Sequence, residues 1–369
     1  MSTAQAQKRV YNFSAGPAVL PVSVLKEVQE EMMCLPGAGA SVLEVSHRSK
    51  DFEAIIESAR QTMRELLDLP SDYHVLFLQG GASTQFSMIP MNFHSAEGEV
   101  HYVKCGAWAN KAIKEAKRVG PVNIVWDGES TKYDRMPEND VFEKLSSGAY
   151  VHITSNETIE GVEFPYDPKT GGTPLVCDAS SDFLHRKLDV KNYSLIYAGA
   201  QKNVGPAGAT IVIVKDEFLQ SQKGQNLPTM LNLKTKADKE SMYNTPPAFS
   251  IYVIEKVLRW LKEDIGGLDA IYELNRKKAK VLYDAIDLSG GFYRGHAHEK
   301  YRSLMNVTFR LPSEELEKQF VKEAEVADFS GLKGHRDVGG LRASIYNAFP
   351  SEGVDALVEF MKEFQKRNG

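Results

Sequence analysis

The sequence predicts an α/β protein with a mainly parallel β-sheet in a large domain and a smaller α+β domain at the C-terminus. Short apolar runs rich in β-branched residues alternate with helical or loop stretches through the middle of the chain, which is typical of strands joined by crossover helices. The 369 residues are enough for two cores. A Gly266–Gly267 pair then precedes a different helix and strand pattern.

The first predicted elements are two amphipathic helices. Pro21 begins a segment whose apolar residues recur at helical spacing, and a second such segment runs from Phe52 to Leu66. From His74 onward we predict strands at the runs HVLFL, VHYVK, NIVW, YVHIT, PLVC, SLIYA and TIVIV. Strands that are buried on both faces read as such continuous apolar runs, so these should form the parallel sheet.

The C-terminal region predicts a smaller α+β domain. It reads as a helix, the strand SLMNVTFRL, the helix SEELEKQFVKEAEV, the strand LRASIY and a last helix. We place the large domain at residues 15–265 and the small domain at 266–369, and we expect the segment 1–14 to pack on the small domain.

Composition and charge exclude several functions. A formal net charge of -5 gives no general field that would attract nucleic acid or an anionic membrane. The three cysteines have no paired or Cys/His spacing, which argues against a disulfide framework or a zinc site. No signal peptide and no run approaching about 20 apolar residues is present. We therefore expect a cytoplasmic protein without a metal.

Two strand ends carry the first candidate chemistry. The run PLVC is followed by Asp178, and SLIYAGA is followed by Gln201 and Lys202. Ligands of open α/β sheets bind beyond the carboxyl ends of the strands. An acid and a lysine that meet there can simply form a buried ion pair. The tight turn NVGPAG after Lys202 instead favours a lysine exposed at a crevice, where it could form a Schiff base.

Two further strand ends could complete a cofactor site. HVLFLQ ends in Gly80, Gly81, Ala82 and Ser83 before a helix, and small residues at a helix N-terminus suit a phosphate, although such turns are common. Trp108 follows another strand and could be a core aromatic or could stack on a flat ring. With Asp178 near a ring nitrogen and Lys202 linked to a carbon, these parts suit pyridoxal phosphate.

The chain resembles the phosphoserine aminotransferases, which are class V aminotransferases with the type I fold of pyridoxal-phosphate enzymes. The resemblance covers nearly the whole chain in order. Its segments are YNFSAGPAVLP, LEVSHRSKDF, LQGGASTQF, SNETIEGVEF, CDASSDF, AQKNVGPAG, NTPPAFSIY and GHRDVGGLRASIYNAF.

The resemblance implies a set of cofactor contacts. Lys202 would carry the cofactor as a Schiff base, Asp178 would pair with the pyridine nitrogen, and Trp108 would stack on the ring. The remaining contacts would come from Ala82 and Ser83 at the phosphate, Thr158 and Gln201 near the phenolic oxygen and phosphate, and Asn244 and Thr245 reaching the phosphate from a second subunit. A homodimer with shared sites is therefore implied. The segment NTPP also reads as a plain turn before a helix.

For substrates, the resemblance assigns Arg342 to the α-carboxylate. It assigns His47, Arg48, His335 and Arg336 to the distal phosphate of phosphoserine or the distal carboxylate of glutamate. An Arg fork suits phosphate and carboxylate alike, so one pocket could serve both. The implied reaction is amino transfer between glutamate and 3-phosphohydroxypyruvate in serine biosynthesis, with a further role in pyridoxine biosynthesis left open.

Three alternatives remain at this stage. A serine– or alanine–glyoxylate aminotransferase would have the same fold but would not need so many cations for a distal anion. A cysteine desulfurase would need a mobile, nucleophilic cysteine, but Cys177 lies in a predicted buried strand, and Cys34 and Cys105 have no obvious activating neighbour. A non-catalytic protein on the same scaffold would not need both Lys202 and Asp178.

Overall fold

The computed structural model describes residues 9–95, 98–145, 148–335 and 339–369. The strands are β1 (Tyr11–Asn12), β2 (Tyr73–Leu78), β3 (Val100–Lys104), β4 (Val122–Asp127), β5 (Val151–Thr154), β6 (Asn156–Glu157), β7 (Val162–Glu163), β8 (Leu175–Asp178), β9 (Leu195–Gly199), β10 (Thr210–Lys215), β11 (Arg294–Gly295), β12 (Asn306–Arg310), β13 (Phe329–Ser330) and β14 (Leu341–Ser344).

The helices flank these strands. In chain order they are α1 (Val22–Glu31), α2 (Lys50–Leu66), α3 (Gly81–Phe93), α4 (Ala107–Ala116), α5 (Asp140–Glu143), α6 (Asp216–Gln220), α7 (Leu233–Asp238), α8 (Ala248–Arg259), α9 (Leu268–Asp287), α10 (Glu314–Val326) and α11 (Ser351–Asn368). No helix among the described residues is both long and apolar enough to cross a bilayer.

A seven-stranded sheet in the order β2-β10-β9-β8-β5-β3-β4 forms the centre of the protein. Its strand pairs are parallel except for β10, which runs antiparallel to both β2 and β9. The prediction of a mainly parallel sheet is therefore confirmed.

Both faces of this sheet are buried. Each strand supplies residues to both faces, because successive side chains of a strand point to opposite sides. On β2, Val75 and Phe77 belong to one apolar cluster, and Leu76 and Leu78 belong to the cluster on the other face. The first cluster also receives Phe52 of α2, and the second receives residues of α3 and α4. The continuous apolar runs of the sequence follow from this double burial.

A separate apolar cluster joins α9, α10 and α11 to the three-stranded sheet β11-β12-β14. The N-terminal strand β1 pairs in parallel with β13, and Phe13 is buried in this same cluster. Gly266 and Gly267 adopt positive φ angles of 91° and 92° immediately before α9. The division of the chain at residue 265 stays a prediction.

The parallel strands of the central sheet place several loops at one edge. β8 and β9 are neighbours, with Asp178 paired in register to Tyr197, so the residues that follow both strands lie side by side. β2 ends at the same edge because β10 is antiparallel to both β2 and β9. The turns that follow β2, β8 and β9 therefore meet.

Candidate active site

A cavity of about 330 Å³ opens where these turns meet. It is lined by Gly80, Gly81, Ala82, Ser83, Trp108, Thr154, Asn156, Thr158, Asp178, Ser180, Ser181, Gly199, Gln201, Lys202, Gly208 and Ala209. The structure thus brings together seven of the residues predicted to contact a cofactor, which are Ala82, Ser83, Trp108, Thr158, Asp178, Gln201 and Lys202. This is the position that open α/β sheets use for ligands.

Lys202 extends into the cavity from the turn between β9 and β10. Its Nζ donates a hydrogen bond of 2.8 Å to Thr158 Oγ1 and lies 5.5 Å from the centre of the Trp108 ring. Burial lowers the pKa of Lys202 to about 8, although the Asp178 carboxylate opposes this shift. A larger fraction of the amine is therefore neutral and nucleophilic near neutral pH than for an exposed lysine.

Asp178 is the last residue of β8, and only 3% of its surface is exposed. Its Oδ1 accepts a hydrogen bond of 3.0 Å from the backbone N–H of Ser180. Burial raises the pKa of Asp178, and hydrogen bonds from Ser180 together with the charge of Lys202 act in the opposite direction. The site therefore contains an acid that a cationic ring nitrogen could stabilise as the anion.

A buried polar chain supports Asp178 on the same face of the sheet. A hydrogen bond from the Tyr197 hydroxyl lowers the pKa of Asp178, and His152 Nε2 lies 2.9 Å from that hydroxyl oxygen. Burial lowers the pKa of His152 to about 3, so its ring is neutral. Because His152 Nδ1 is buried without a partner, we assign the ring proton to Nε2, which leaves the Tyr197 proton for Asp178.

The N-terminus of α3 forms an open anion site. Gly80 has a φ of 96°, and a Cβ there would lie 2.0 Å from Thr84 Oγ1, so glycine is required. The helix has no side-chain cap, and Gly81, Ala82 and Ser83 of its first turn line the cavity. Free N–H groups and the helix dipole at such an end favour a phosphate.

A smaller cavity of about 40 Å³ contains two more of the predicted residues, Arg342 and His335, together with His296 and Arg310. Arg342 lies on β14, and its Nε is buried without a hydrogen-bond partner. Burial lowers the pKa of Arg342, and the charges of Tyr346 and Glu160 act in the opposite direction. A half-buried guanidinium with an unused, buried donor is suited to an incoming carboxylate.

Four predicted residues lie outside both cavities. His47 is half-buried and Arg48 exposed in the loop before α2. Asn244 donates to Gln79 Oε1 at 3.1 Å and accepts from Lys236 Nζ at 2.8 Å, and Thr245 is exposed. Within one chain these residues do not reach the cavity lining. Arg336, the last predicted substrate residue, lies outside the described residues.

The sequence reasoning missed several polar residues of the site. Glu157 and Glu160 bind the first turn of α4 from the loop that also carries Thr158. Ser180 accepts a hydrogen bond of 3.1 Å from Gly199 N, and the buried Oδ1 of Asn156 has no partner. The segment SNETIEG could have indicated three of them, because four polar or acidic residues around the expected contact Thr158 are unusual in a buried loop.

One buried cluster near the site consists of Glu163, Asp182 and His185, whose potential ligand atoms lie within 4.8 Å of one another. His185 Nε2 lies 2.7 Å from Glu163 Oε1, and Asp182 Oδ1 accepts a bond of 2.6 Å from Ser155. His185 and Glu163 pair with each other, and Ser155 satisfies the Asp182 carboxylate, as expected of a buried structural cluster.

Comparison with known proteins identifies the family. The model of the aminotransferase class-V family matches residues 10–357. The chain belongs to the class-V aminotransferases. It is 51% identical over 369 residues to a phosphoserine aminotransferase of Rhodopirellula baltica, covering 100% of this chain and 98% of that protein.

Solved structures of class-V aminotransferases support the fold. The phosphoserine aminotransferase of Bacillus circulans subsp. alkalophilus superposes with a TM-score of 0.95 at 50% identity, covering 98% of this chain and 99% of that chain. The pyridoxal-phosphate-bound phosphoserine aminotransferase of Trichomonas vaginalis has a TM-score of 0.90 at 39% identity, covering 96% and 100%. The type I fold is confirmed, and the protein is a pyridoxal-phosphate-dependent aminotransferase.

The cavity fits the cofactor of a class-V aminotransferase. It offers a lysine amine, a buried acid, an aromatic ring and an open helix N-terminus around one space. The Trp108 Nε1 and Asn156 Oδ1 atoms are buried without partners in this region. Orphaned polar atoms beside a cavity indicate a polar ligand.

Proposed function

We propose that this aminotransferase transfers an amino group reversibly between L-glutamate and 3-phosphohydroxypyruvate, giving 2-oxoglutarate and O-phospho-L-serine in serine biosynthesis. The observation that carries the proposal is the unpartnered, buried Arg342 Nε among basic side chains next to the cavity of Lys202. Both amino acids carry an α-carboxylate and a distal anion. The relatives named phosphoserine aminotransferase at about half identity support the same reaction.

The residues of the large cavity would hold pyridoxal phosphate. When bound, this cofactor supplies an electron sink for the substrate Cα and carries the amino group between the two half-reactions. Ala82 and Ser83 would bind its phosphate at the N-terminus of α3, Trp108 would cover its ring, and Gln201 would bind nearby. Asp178 would hold a proton on the ring nitrogen, with Tyr197 supporting the carboxylate from behind.

Lys202 would move the proton in the reaction. Its lowered pKa lets the neutral amine remove a proton from the substrate Cα. The same amine would then deliver the proton to the cofactor carbon. Thr158 Oγ1 would orient the amine through the 2.8 Å hydrogen bond. Water is restricted there because the cavity walls around Asp178 and Thr158 are buried.

The basic residues would select substrates with two anionic groups. Arg342 would bind the α-carboxylate, and His335 with Arg336 would bind the distal anion. We propose that His47 and Arg48, with Asn244 and Thr245, reach a neighbouring subunit's site in a homodimer. The apolar residues Met33 and Leu43, which are 84% and 63% exposed near His47 in the chain, support a contact surface there.

Two further expectations accompany this proposal. A cytoplasmic enzyme agrees with the free state of Cys34, Cys105 and Cys177. A large domain of residues 15–265 and a small domain of 266–369 agree with the separate apolar cluster of α9, α10 and α11. A desulfurase is disfavoured at the two buried cysteines, because burial raises the pKa of both Cys105 and Cys177.

A substrate panel tests the proposal. The purified protein should absorb as a yellow pyridoxal-phosphate enzyme, and its band should shift when glutamate or phosphoserine is added. Serine and alanine, which lack the distal anion, should react at least about tenfold more weakly, since a hydrogen bond to a charged group contributes roughly 1.5–3 kcal/mol. Equal rates with serine and glyoxylate would contradict the assignment. The phosphorylated threonine analogue 4-phosphohydroxy-L-threonine belongs in the panel to test a role in pyridoxine biosynthesis.

A further inference from the structure

Two buried carboxylates fill the N-terminus of α4, the helix that carries Trp108. Glu157 accepts hydrogen bonds from the backbone N–H groups of Trp108 at 3.0 Å and Ala109 at 2.8 Å. Glu160 accepts one from Ala107 at 2.9 Å. Glu157 has no exposed surface and Glu160 only 6%. The free donors of this helix end are therefore occupied by side chains of the chain itself.

Gly106 makes room for this arrangement. A Cβ on Gly106 would lie 2.6 Å from Cδ of Glu157 and 2.8 Å from Cδ of Glu160. The backbone there is extended, with a φ of 168°, so any residue could adopt it. The glycine is needed for space, because a side chain would push both carboxylates away from the helix end.

The electrostatics of the pair disfavour the state in which both carboxylates are ionised. Burial raises the pKa of Glu160 to about 7 and also raises the pKa of Glu157, and the charge of Glu160 adds to the shift at Glu157. Arg342 lowers the pKa of Glu160, whereas Asp178 raises that of Glu157. The charge of Glu160 opposes the ionisation of Glu157, so the buried pair does not readily carry two negative charges at the helix end.

The N-termini of α3 and α4 therefore differ in the N–H groups that they leave free for an anion at the cofactor cavity. The N-terminus of α3 has no side-chain cap, and its first turn lines the cavity. The N-terminus of α4 is filled by Glu157 and Glu160. An anion should bind the open end and avoid the filled one, because the helix dipole attracts it at α3 while the carboxylates repel it at α4.

We propose that Glu157 and Glu160 are positioning residues that fix the first turn of α4, and with it the Trp108 ring, and that direct the cofactor phosphate to α3. The inference rests on the proposed placement of the cofactor in this cavity. Neither glutamate lines the cavity. Both act through the backbone that holds Trp108, so their substitution should change cofactor affinity and the environment of the Trp108 indole.

The variant Glu157→Gln tests this role. A glutamine has one acceptor oxygen. Its amide NH₂ group would face a backbone N–H that now donates a hydrogen bond to the carboxylate, and this hydrogen bond would be lost. Glu163→Gln is the matched control, because Glu163 is a buried glutamate that bonds to His185 at 2.7 Å and to Leu304 N at 2.9 Å, whereas the first N–H groups of α4 bond to the other two glutamates. Both variants should lower the melting temperature, but only Glu157→Gln should disturb Trp108.

The measurement uses Trp fluorescence in a Trp126→Phe/Trp260→Phe background, in which Trp108 is the remaining one of three tryptophans. In cofactor-free protein, Glu157→Gln should red-shift the Trp108 emission. In a titration with pyridoxal phosphate, this variant should bind at least about tenfold more weakly, which is roughly 1.4 kcal/mol, while Glu163→Gln should match the parent.

The possible outcomes separate the inference from the proposed function. If the parent protein fails to bind pyridoxal phosphate with quenching of Trp108, the cofactor placement is wrong. If the parent binds but folded Glu157→Gln shows the parent's emission and affinity, the positioning role is wrong. Should Glu157→Gln fail to fold, Gly106→Ala displaces the same carboxylates with their charge kept, and parent-like emission and affinity in that variant would equally refute the role.

Discussion

The Nζ of Lys202 donates a hydrogen bond of 2.8 Å to Oγ1 of Thr158, across the space between two neighbouring loops of the sheet edge. Thr158 follows β6, and Lys202 follows β9. The hydrogen bond thus directs the amine to one side of the cavity. A fixed and partly desolvated amine is suited to repeated proton transfer at one position.

Replacing this lysine should remove the chemistry but keep the fold. We expect Lys202→Ala to lose transamination between glutamate and 3-phosphohydroxypyruvate, because the variant has neither covalent anchor nor proton carrier. The circular dichroism spectrum should be unchanged. Lys114→Ala, an exposed lysine of α4, is the control and should retain activity. Near-normal turnover in Lys202→Ala would exclude the assigned role.

The lowered pKa of Lys202 predicts a pH-dependent stability in the cofactor-free protein. Its pKa is about 8 in the folded state and near 10.5 when unperturbed. Between these values the unfolded chain holds a proton that the folded protein has lost, so the free energy of unfolding rises with pH across the window and is lowest below it.

Denaturant titrations of the wild type and Lys202→Met from pH 7 to 11 check this prediction. Other titrating groups cancel in the difference between the two proteins. The stability of the wild type relative to Lys202→Met should increase from about pH 8 to about pH 10.5. A difference that stays flat with pH would show that the amine is not desolvated in solution.

The variant Asp178→Asn should preserve the shape of the site and slow the removal of the substrate Cα proton. The amide cannot hold a protonated ring nitrogen as an anion does, so the electron sink weakens. Charge-assisted hydrogen bonds contribute roughly 1.5–3 kcal/mol, which suggests a rate loss of about ten- to a hundredfold. Stopped-flow absorption with glutamate measures this step.

Asp167→Asn provides the control for Asp178→Asn. Asp167 accepts a hydrogen bond of 2.8 Å from Arg186 and does not line the cavity. Its substitution should lower the melting temperature with little change in the rate of proton removal. If both variants reacted at the wild-type rate, Asp178 would be a structural residue.

The proposed sharing of sites between subunits predicts complementation. Arg48 is exposed in a single chain and lies outside both cavities, so it should act on the partner's site. Arg48→Ala should weaken phosphoserine by about ten- to a hundredfold and affect alanine little. Mixed dimers of Lys202→Ala and Arg48→Ala chains would contain one site with an intact lysine and an intact arginine.

Activity in refolded mixtures decides this point. With tagged chains that allow mixed dimers to be isolated, the hybrid should recover up to about half of the wild-type activity per dimer with phosphoserine, since one of its two sites is complete. Isolated hybrids that are no more active than Arg48→Ala dimers would show that each subunit supplies its own Arg48.

Much of the fold could be predicted from the sequence because its strands are buried on both faces. The runs HVLFL and TIVIV became β2 and β10 with shifts of only a residue or two. The antiparallel direction of β10 could not be predicted. The direction depends on the return path of the turn after Lys202, and local periodicity does not contain that information.

The site was predictable where a residue lines the cavity directly, as with Lys202 and Asp178. Glu157 and Glu160 were missed because they act through backbone N–H groups of another segment, and no spacing rule connects them to Trp108. The placement of His47 and Arg48 also could not be checked within a single chain, since the proposed partner of these residues belongs to a second subunit.

The strand order sets the distances between the groups that a ligand of this site would contact. Neighbouring strands lie about 4.8 Å apart, and β10 separates β2 from β9, whereas β9 and β8 are adjacent. The anion site after β2 is therefore about 10 Å from the turn of Lys202, and Asp178 is about 5 Å on the other side. The side chains of Lys202 and Asp178 line the cavity and shorten these backbone distances, so a ligand must extend from the turn after β2 past β10 to reach both of them. An aldehyde without a phosphate arm could reach Lys202 and Asp178 but not the helix end after β2. The order of the strands therefore selects ligands by their length.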